Sequence, residues 1–115
     1  MENKKEQMYS VASNKLIAEF MNLDYRVYGS TGTTYYIDGQ PYQLWKLRYH
    51  SSWDWLMPCV SKMTATLKNP DEDYMKKWDE IYNYTPYSFL SGDIEYVYKV
   101  LVKFIKWYND KNKQL

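Results

Sequence analysis

Apolar residues recur at helical spacing in four stretches of the chain. In the first, Tyr9, Ala12, Leu16, Ile17, Phe20 and Met21 share one stripe that ends near Asn22 or Asp24. The second carries Trp53, Leu56, Met57, Val60, Met63, Thr64 and Leu67. Ser51 is placed to cap it, with Asp54 three positions later. Pro58 lies inside this stretch, where its ring opposes the Asp54 carbonyl, so a kink or a shifted start is expected. The third opens with Asn69 as cap, Pro70 in the first helical position, and Asp71 and Glu72 against the positive end of the helix dipole. Its stripe is Tyr74, Met75, Trp78, Ile81 and Tyr82, and Thr85-Pro86 stops it. The fourth is capped by Asp93 and turns inward Ile94, Val97, Tyr98, Leu101, Phe104, Ile105 and Tyr108. Lys99, Lys103, Lys106 and Asp110 keep its outer side wet.

Between the first two helices the period changes to two. Tyr25-Arg26-Val27-Tyr28 favours a short strand, and Gly29-Ser30-Thr31-Gly32 reads as a loop. Residues 33–37 are rich in strand formers, Asp38-Gly39 is a hairpin turn signal, and residues 40–49 return as a strand with Pro41 near its start. Alternation along that strand places Leu44, Lys46, Arg48 and His50 on one face and Trp45, Leu47 and Tyr49 on the other. Residues 83–91 read as a connector or a short strand. The pattern predicts an α+β fold: a small, mainly antiparallel sheet with its hairpin around Asp38-Gly39, packed by about four helices. Residues 1–8 are polar and expected to be flexible, and residues 9–115 form one domain.

Charge and composition narrow the chemistry. The 115 residues hold 15 Lys and Arg against 14 Asp and Glu, a formal charge of +1. Such a balance gives no global field to draw in nucleic acid or an anionic membrane. Cys59 is the single cysteine and His50 the single histidine. An internal disulfide is therefore impossible, and a Cys/His zinc site lacks ligands. No apolar segment follows the charged opening residues, and none is long enough to cross a bilayer, so a cytoplasmic location is expected. Neither a cofactor nor enzymatic activity is expected. The aromatic fraction is 19%, including 14 Tyr and five Trp. So many rings are hard to hide in a small core, and some should serve as interface anchors.

Four groups of residues could carry chemistry. Cys59 and His50 are the only nucleophile and base of their kinds, but a helix-borne thiol with no activating neighbour reads as a buried packing residue. The loop over residues 29–34 has the glycines of a phosphate loop without the lysine and helix that must follow, so it reads as a hairpin loop. Asp71, Glu72, Asp73, Asp79 and Glu80 give the third helix an acidic face, read chiefly as solvated. Lys46, Arg48 and His50 lie among Tyr35, Tyr36, Tyr42 and Trp45, a mixture that suits single-stranded nucleic acid or a nucleotide, but the basic footprint is small and the group reads chiefly as core rings beside surface charges. Trp53 and Trp78 fall on core faces. Trp55 falls off its stripe and is either a second-layer packing residue or an interface anchor.

Three blocks carry a resemblance: residues 14–21 (NKLIAEFM), residues 49–58 (YHSSWDWLMP) and residues 100–109 (VLVKFIKWYN). In order and approximate spacing they resemble a group of small accessory proteins encoded by phages, prophages and mobile elements. Cys59, Ser61 and the acidic third helix depart from that group's pattern. The resemblance implies a protein that acts by binding a host component, foremost as an inhibitor of a defence protein such as an RNA-guided CRISPR nuclease. Tyr35, Tyr36, Tyr42, Trp45 and Trp55 are the expected partner-binding residues. The alternative is a nucleotide sponge or RNA-binding protein using Lys46, Arg48 and His50, or a virion or assembly component.

Overall fold

The computed structural model describes residues 4–29, 32–83 and 93–113, with side chains from residue 11 onward. Helix α1 runs Lys4–Phe20, starting ahead of the predicted stripe. Asn22 ends it from the left-handed region (φ 55°), while the Leu23 amide bonds the Ala18 carbonyl at 3.1 Å. Asparagine tolerates that backbone better than other side-chain-bearing residues, so it is a natural helix stop.

Three strands follow, β1 (Asp24–Tyr28), β2 (Gly32–Ile37) and β3 (Gln40–Gln43), in the order β1-β2-β3 and antiparallel throughout. Asp38 and Gly39 both take positive φ (52° and 79°) between the paired residues Ile37 and Gln40. That is the two-residue turn whose twist matches a hairpin. The fold class expected from the pattern is the observed one. The returning strand, however, is shorter than its alternation implied. Pairing stops at Gln43, and Leu44–Lys46 form a single 3-10 turn. Residues 84–92, most of the predicted connector, lie outside the described residues, as do Ser30 and Thr31 of the loop.

Helix α2 (Trp53–Thr66) starts one residue later than expected. Its cap is Ser52, without a side-chain cap bond, rather than Ser51. Pro58 sits inside it, so the Asp54 carbonyl lacks the usual amide donor, but the helix continues through. Helix α3 (Glu72–Trp78) is capped by Asp71, whose carboxylate accepts from the Asp73 amide at 2.8 Å. Asn69, the expected cap, instead accepts from the Asp71 amide at 2.9 Å, forming a turn one step before the helix. A π turn over Asp79–Asn83 extends α3. Helix α4 (Ile94–Lys113) is capped as predicted, with Asp93 accepting from the Tyr96 amide at 2.8 Å.

The core lies between α1, α2 and α4. Ile17, Leu47, Leu56, Met63, Val97, Leu101 and Ile105 are all buried in it. Phe20 meets Phe104 and Tyr108 edge-on at 5.9 and 5.8 Å, which fixes the end of α1 on α4. Lys62 joins α2 to the same corner, donating to the Phe20 carbonyl with its ammonium over the Phe20 ring. Tyr74 of α3 meets Trp107 of α4 edge-on at 5.1 Å. The inner face predicted for α4 packs on the core, with Val102 added and with Ile94 and Tyr108 at its ends half-buried. Three expected core residues are exposed: Ala12, Met75 at 58% and Trp53 at 40%, while others such as Leu16, Met57 and Trp78 are half-buried. In α1 the buried face instead includes Ser13 and Asn14.

Leu101→Ala should cost about 2–5 kcal/mol in urea denaturation, because it opens a cavity in the middle of α4's inner face. Met75→Ala should change stability by less than about 0.5 kcal/mol. A second expectation concerns the clasp between α3 and α4. Lys111 donates to Asp73 at 2.7 Å, and this hydrogen bond holds the Asp73 carboxyl below its ordinary 3.8. The contribution is therefore present above pH 3.8 and is lost as pH falls through the depressed value. Lys111→Met should lower the urea midpoint near pH 6 and lose less than the parent on going to about pH 2.5.

Candidate functional site

The stretch from Tyr42 to Ser51 is where backbone geometry and side-chain chemistry meet. Because pairing with β2 ends at Gln43, the 3-10 turn re-aims the residues that follow. Leu47 and Tyr49 go fully inward, while Lys46 and Arg48 remain exposed. The turn throws Trp45 outward, and it is 65% exposed. Period-two alternation paired Trp45 with Leu47 and Tyr49. The turn breaks that alternation, which is why the prediction fails for Trp45 and holds for the other two.

Tyr42, Trp45, Lys46, Leu47, Arg48, His50 and Ser51 together line an open groove of about 440 Å³. The Lys46 ammonium lies 5.0 Å from the centre of the Trp45 ring, in cation–π range. The groove thus unites five of the eight predicted site residues: Tyr42, Trp45, Lys46, Arg48 and His50.

The other three have different roles. Tyr35 is buried (3% exposed) and cannot act as a surface anchor. Burial is also the main reason its phenol titrates above the ordinary range. Tyr36 is half-buried, and its hydroxyl shares a 2.9 Å hydrogen bond with that of Tyr28. Trp55 is half-buried, with Tyr42 edge-on at 5.2 Å and Tyr49 at 5.4 Å. It is the packing post between α2 and the groove's inner wall rather than a free anchor. Its departure from the apolar stripe reflects this second layer of packing.

His50 is held from behind. Asn14, 2% exposed on α1, places its side-chain amide at the centre of three groups. The amide nitrogen donates to the Leu47 carbonyl at 3.1 Å and meets His50 Nδ1 at 3.0 Å. The amide oxygen accepts from the Tyr98 hydroxyl at 2.9 Å. With both amide hydrogens used as donors, Nδ1 must accept, so the ring proton sits on Nε2. Nε2–H is then the ring's remaining donor, on a residue that lines the groove. Hydropathy patterns cannot find Asn14, because a polar residue on a helix is scored as an outer one. Only the three partners, up to 84 positions away, reveal it.

Neither remaining candidate group forms a site. Cys59 is fully buried, and burial pushes its thiol up to about 12, so it is not poised as a nucleophile. The acids of the third helix are largely engaged. Glu72 pairs with Lys76 at 3.6 Å, Glu80 with Lys77 at 2.9 Å, and Asp71 and Asp73 both face Lys111. No cluster of His, Cys, Asp and Glu suited to a metal ion exists among the described residues. No helix among them is long and apolar enough to cross a membrane. A larger hollow of about 570 Å³ lies between the end of α1 and the sheet, bordered by Lys15, Glu19, Asn22, Tyr25 and Tyr35. Its borders lack the concentration of exposed cations and rings found at the groove. Comparison with protein families, curated proteins and solved structures finds no match for this chain.

Asn14→Ala should cost about 2–4 kcal/mol in urea denaturation, since it removes the amide's bonds to the Leu47 carbonyl, His50 Nδ1 and the Tyr98 hydroxyl together. Tyr98→Phe leaves only one acceptor unpaired and should cost less, about 1–2 kcal/mol. The arrangement also predicts the Nε2–H tautomer for neutral His50, readable from its ring nitrogen shifts by NMR.

Proposed function

We propose that this chain is a binding protein whose groove takes a ligand combining a flat base with phosphate: a nucleotide or a short single-stranded nucleic acid. The observation that carries this reading is the exposed Trp45 ring with Lys46, Arg48 and His50 around one open groove. An exposed indole offers a stacking face to any base, worth about 1–3 kcal/mol per base. The Arg48 guanidinium can bind phosphate through two parallel hydrogen bonds, and the Lys46 ammonium stays within reach of a phosphate on a base stacked beside it. The His50 Nε2–H and the Ser51 hydroxyl add directional contacts. At about 440 Å³ the groove is within the size range of small-ligand sites, roughly 300–1,000 Å³.

The resemblance of three sequence blocks to phage and mobile-element accessory proteins supplies the setting. In that setting the ligand would belong to a host defence system, as a signalling nucleotide to be sequestered or as the RNA of a guided nuclease. Direct occlusion of a host protein by an aromatic patch draws less support, because Tyr35 is buried and Trp55 is taken up in packing.

The test is titration of the full chain with mononucleotides, cyclic dinucleotides and a single-stranded RNA, followed by tryptophan fluorescence and calorimetry. Saturable binding that Trp45→Ala and Arg48→Ala each weaken by about tenfold or more is expected. Binding to mononucleotides alone identifies a sponge. Preference for the oligonucleotide, with affinity falling steeply as salt rises, identifies an RNA binder. Absence of saturable binding to every ligand in low salt overturns the proposal. A host protein captured equally well after nuclease treatment would then point to direct inhibition.

A further inference from the structure

The opposite edge of the sheet from β3 is β1, and its setting is unusual. All five residues of Asp24–Tyr28 are exposed, and only β2 pairs with them. In an antiparallel ladder every second residue of such an edge turns its N–H and C=O away from its neighbour, toward whatever lies outside. Native edges are normally blunted by proline, lysine, a bulge or a covering element. Among the described residues β1 carries no proline, lysine or bulge; its edge charges are Asp24 and Arg26, which another strand must match to pair there. The edge also presents Tyr25 at 63% exposure and Val27 at 69%.

The charges on this edge select a partner. Asp24 and Arg26 are two residues apart on one face of the strand, and neither forms an ion pair among the described residues. Two copies of β1 related by a two-fold axis perpendicular to the sheet keep equivalent side chains on equivalent faces. Only registers that pair a residue with itself on the axis are then allowed. Centring on Arg26 sets two guanidinium groups against each other. Centring on Tyr25 sets Asp24 opposite the second copy's Arg26 twice over and brings the two Tyr25 side chains face to face. Opposite charges and aromatic pairs stabilise neighbouring strands, and directly opposed like charges destabilise them.

We infer that the β1 edge pairs with the β1 edge of a second copy of this chain, in antiparallel register about Tyr25, to give a six-stranded sheet across a two-fold dimer. The contact is self-complementary and closed, so assembly stops at two copies. β3 and its groove lie at the far edges of the joined sheet, so each dimer carries two separate grooves.

Sedimentation equilibrium of the full chain over a wide concentration range tests this. A monomer–dimer equilibrium is expected, weakening as salt rises. Asp24→Arg and Arg26→Asp each replace two attractive pairs by two repulsive ones and should raise the dimer Kd about tenfold or more. The double exchange D24R/R26D recreates the complementary pairs and should restore the dimer. All the altered residues are exposed, and far-UV circular dichroism with urea midpoints checks that each variant folds. A parent that stays monomeric at every concentration overturns the inference. So does a dimer that the single exchanges leave intact, or one that the double exchange fails to restore.

Discussion

The buried carboxamide of Asn14 is the constraint around which this molecule is arranged. A primary amide removed from water must satisfy two donor hydrogens and its oxygen, or it costs several kcal/mol. Here the partners come from two distant parts of the chain: the Leu47 carbonyl and His50 ring after the sheet, and the Tyr98 hydroxyl on α4. Hydrophobic contacts among α1, α2 and α4 are non-directional and would tolerate some sliding. The amide does not tolerate it, because a shift of about an ångström breaks hydrogen bonds that must stay near 3 Å. Asn14 therefore converts a greasy contact between α1 and α4 into one register, and ties the segment before α2 to both. The same bond set orients His50, so fold specificity and groove geometry share one cause.

The groove depends on a second local event, the early end of β3. Had pairing continued along residues 44–49, Trp45 would share a face with Leu47 and Tyr49 and be buried. The 3-10 turn at Leu44–Lys46 breaks the alternation and releases the indole to solvent. Trp55 then fills the space behind, edge-on to Tyr42 and Tyr49. The wall of the groove is thus an aromatic cluster rooted in α2 and not a loose surface strand. Placing polar function on such a supported segment limits how far the lining can drift.

Much of the fold is legible in the sequence. The inner stripe of α4, the Asp93 cap and the Asp38-Gly39 turn follow from periodicity and turn chemistry, which are local properties. Two of the errors concern residues whose placement is set by a distant partner, and one a choice between two neighbouring caps. Asn14 is inward because Tyr98 and Leu47 need it, and Ala12 is left outside as a result. Met75 is outward because the inner face of α3 is taken by Tyr74 against Trp107. The cap of α3 moved to Asp71 because Asn69 formed its own turn first. The candidate site was legible as a set of residue types, since basic and aromatic groups cluster in residues 35–50. Which of them reach solvent was not legible, because that depends on where strand pairing stops.

The Asn14–Tyr98 bond spans 84 positions of chain. The groove residues and Asn14 are all in place by Ser51, yet the amide oxygen finds its partner only when α4 docks. During synthesis the chain adds about 5–20 residues per second, and its N-terminal parts fold first. For several seconds a nascent chain would hold the groove's side chains with that buried amide only partly satisfied. The full bond set of the buried amide behind His50 is thereby tied to completion of the last helix, and a truncated product lacking it would carry the groove's residues without that support.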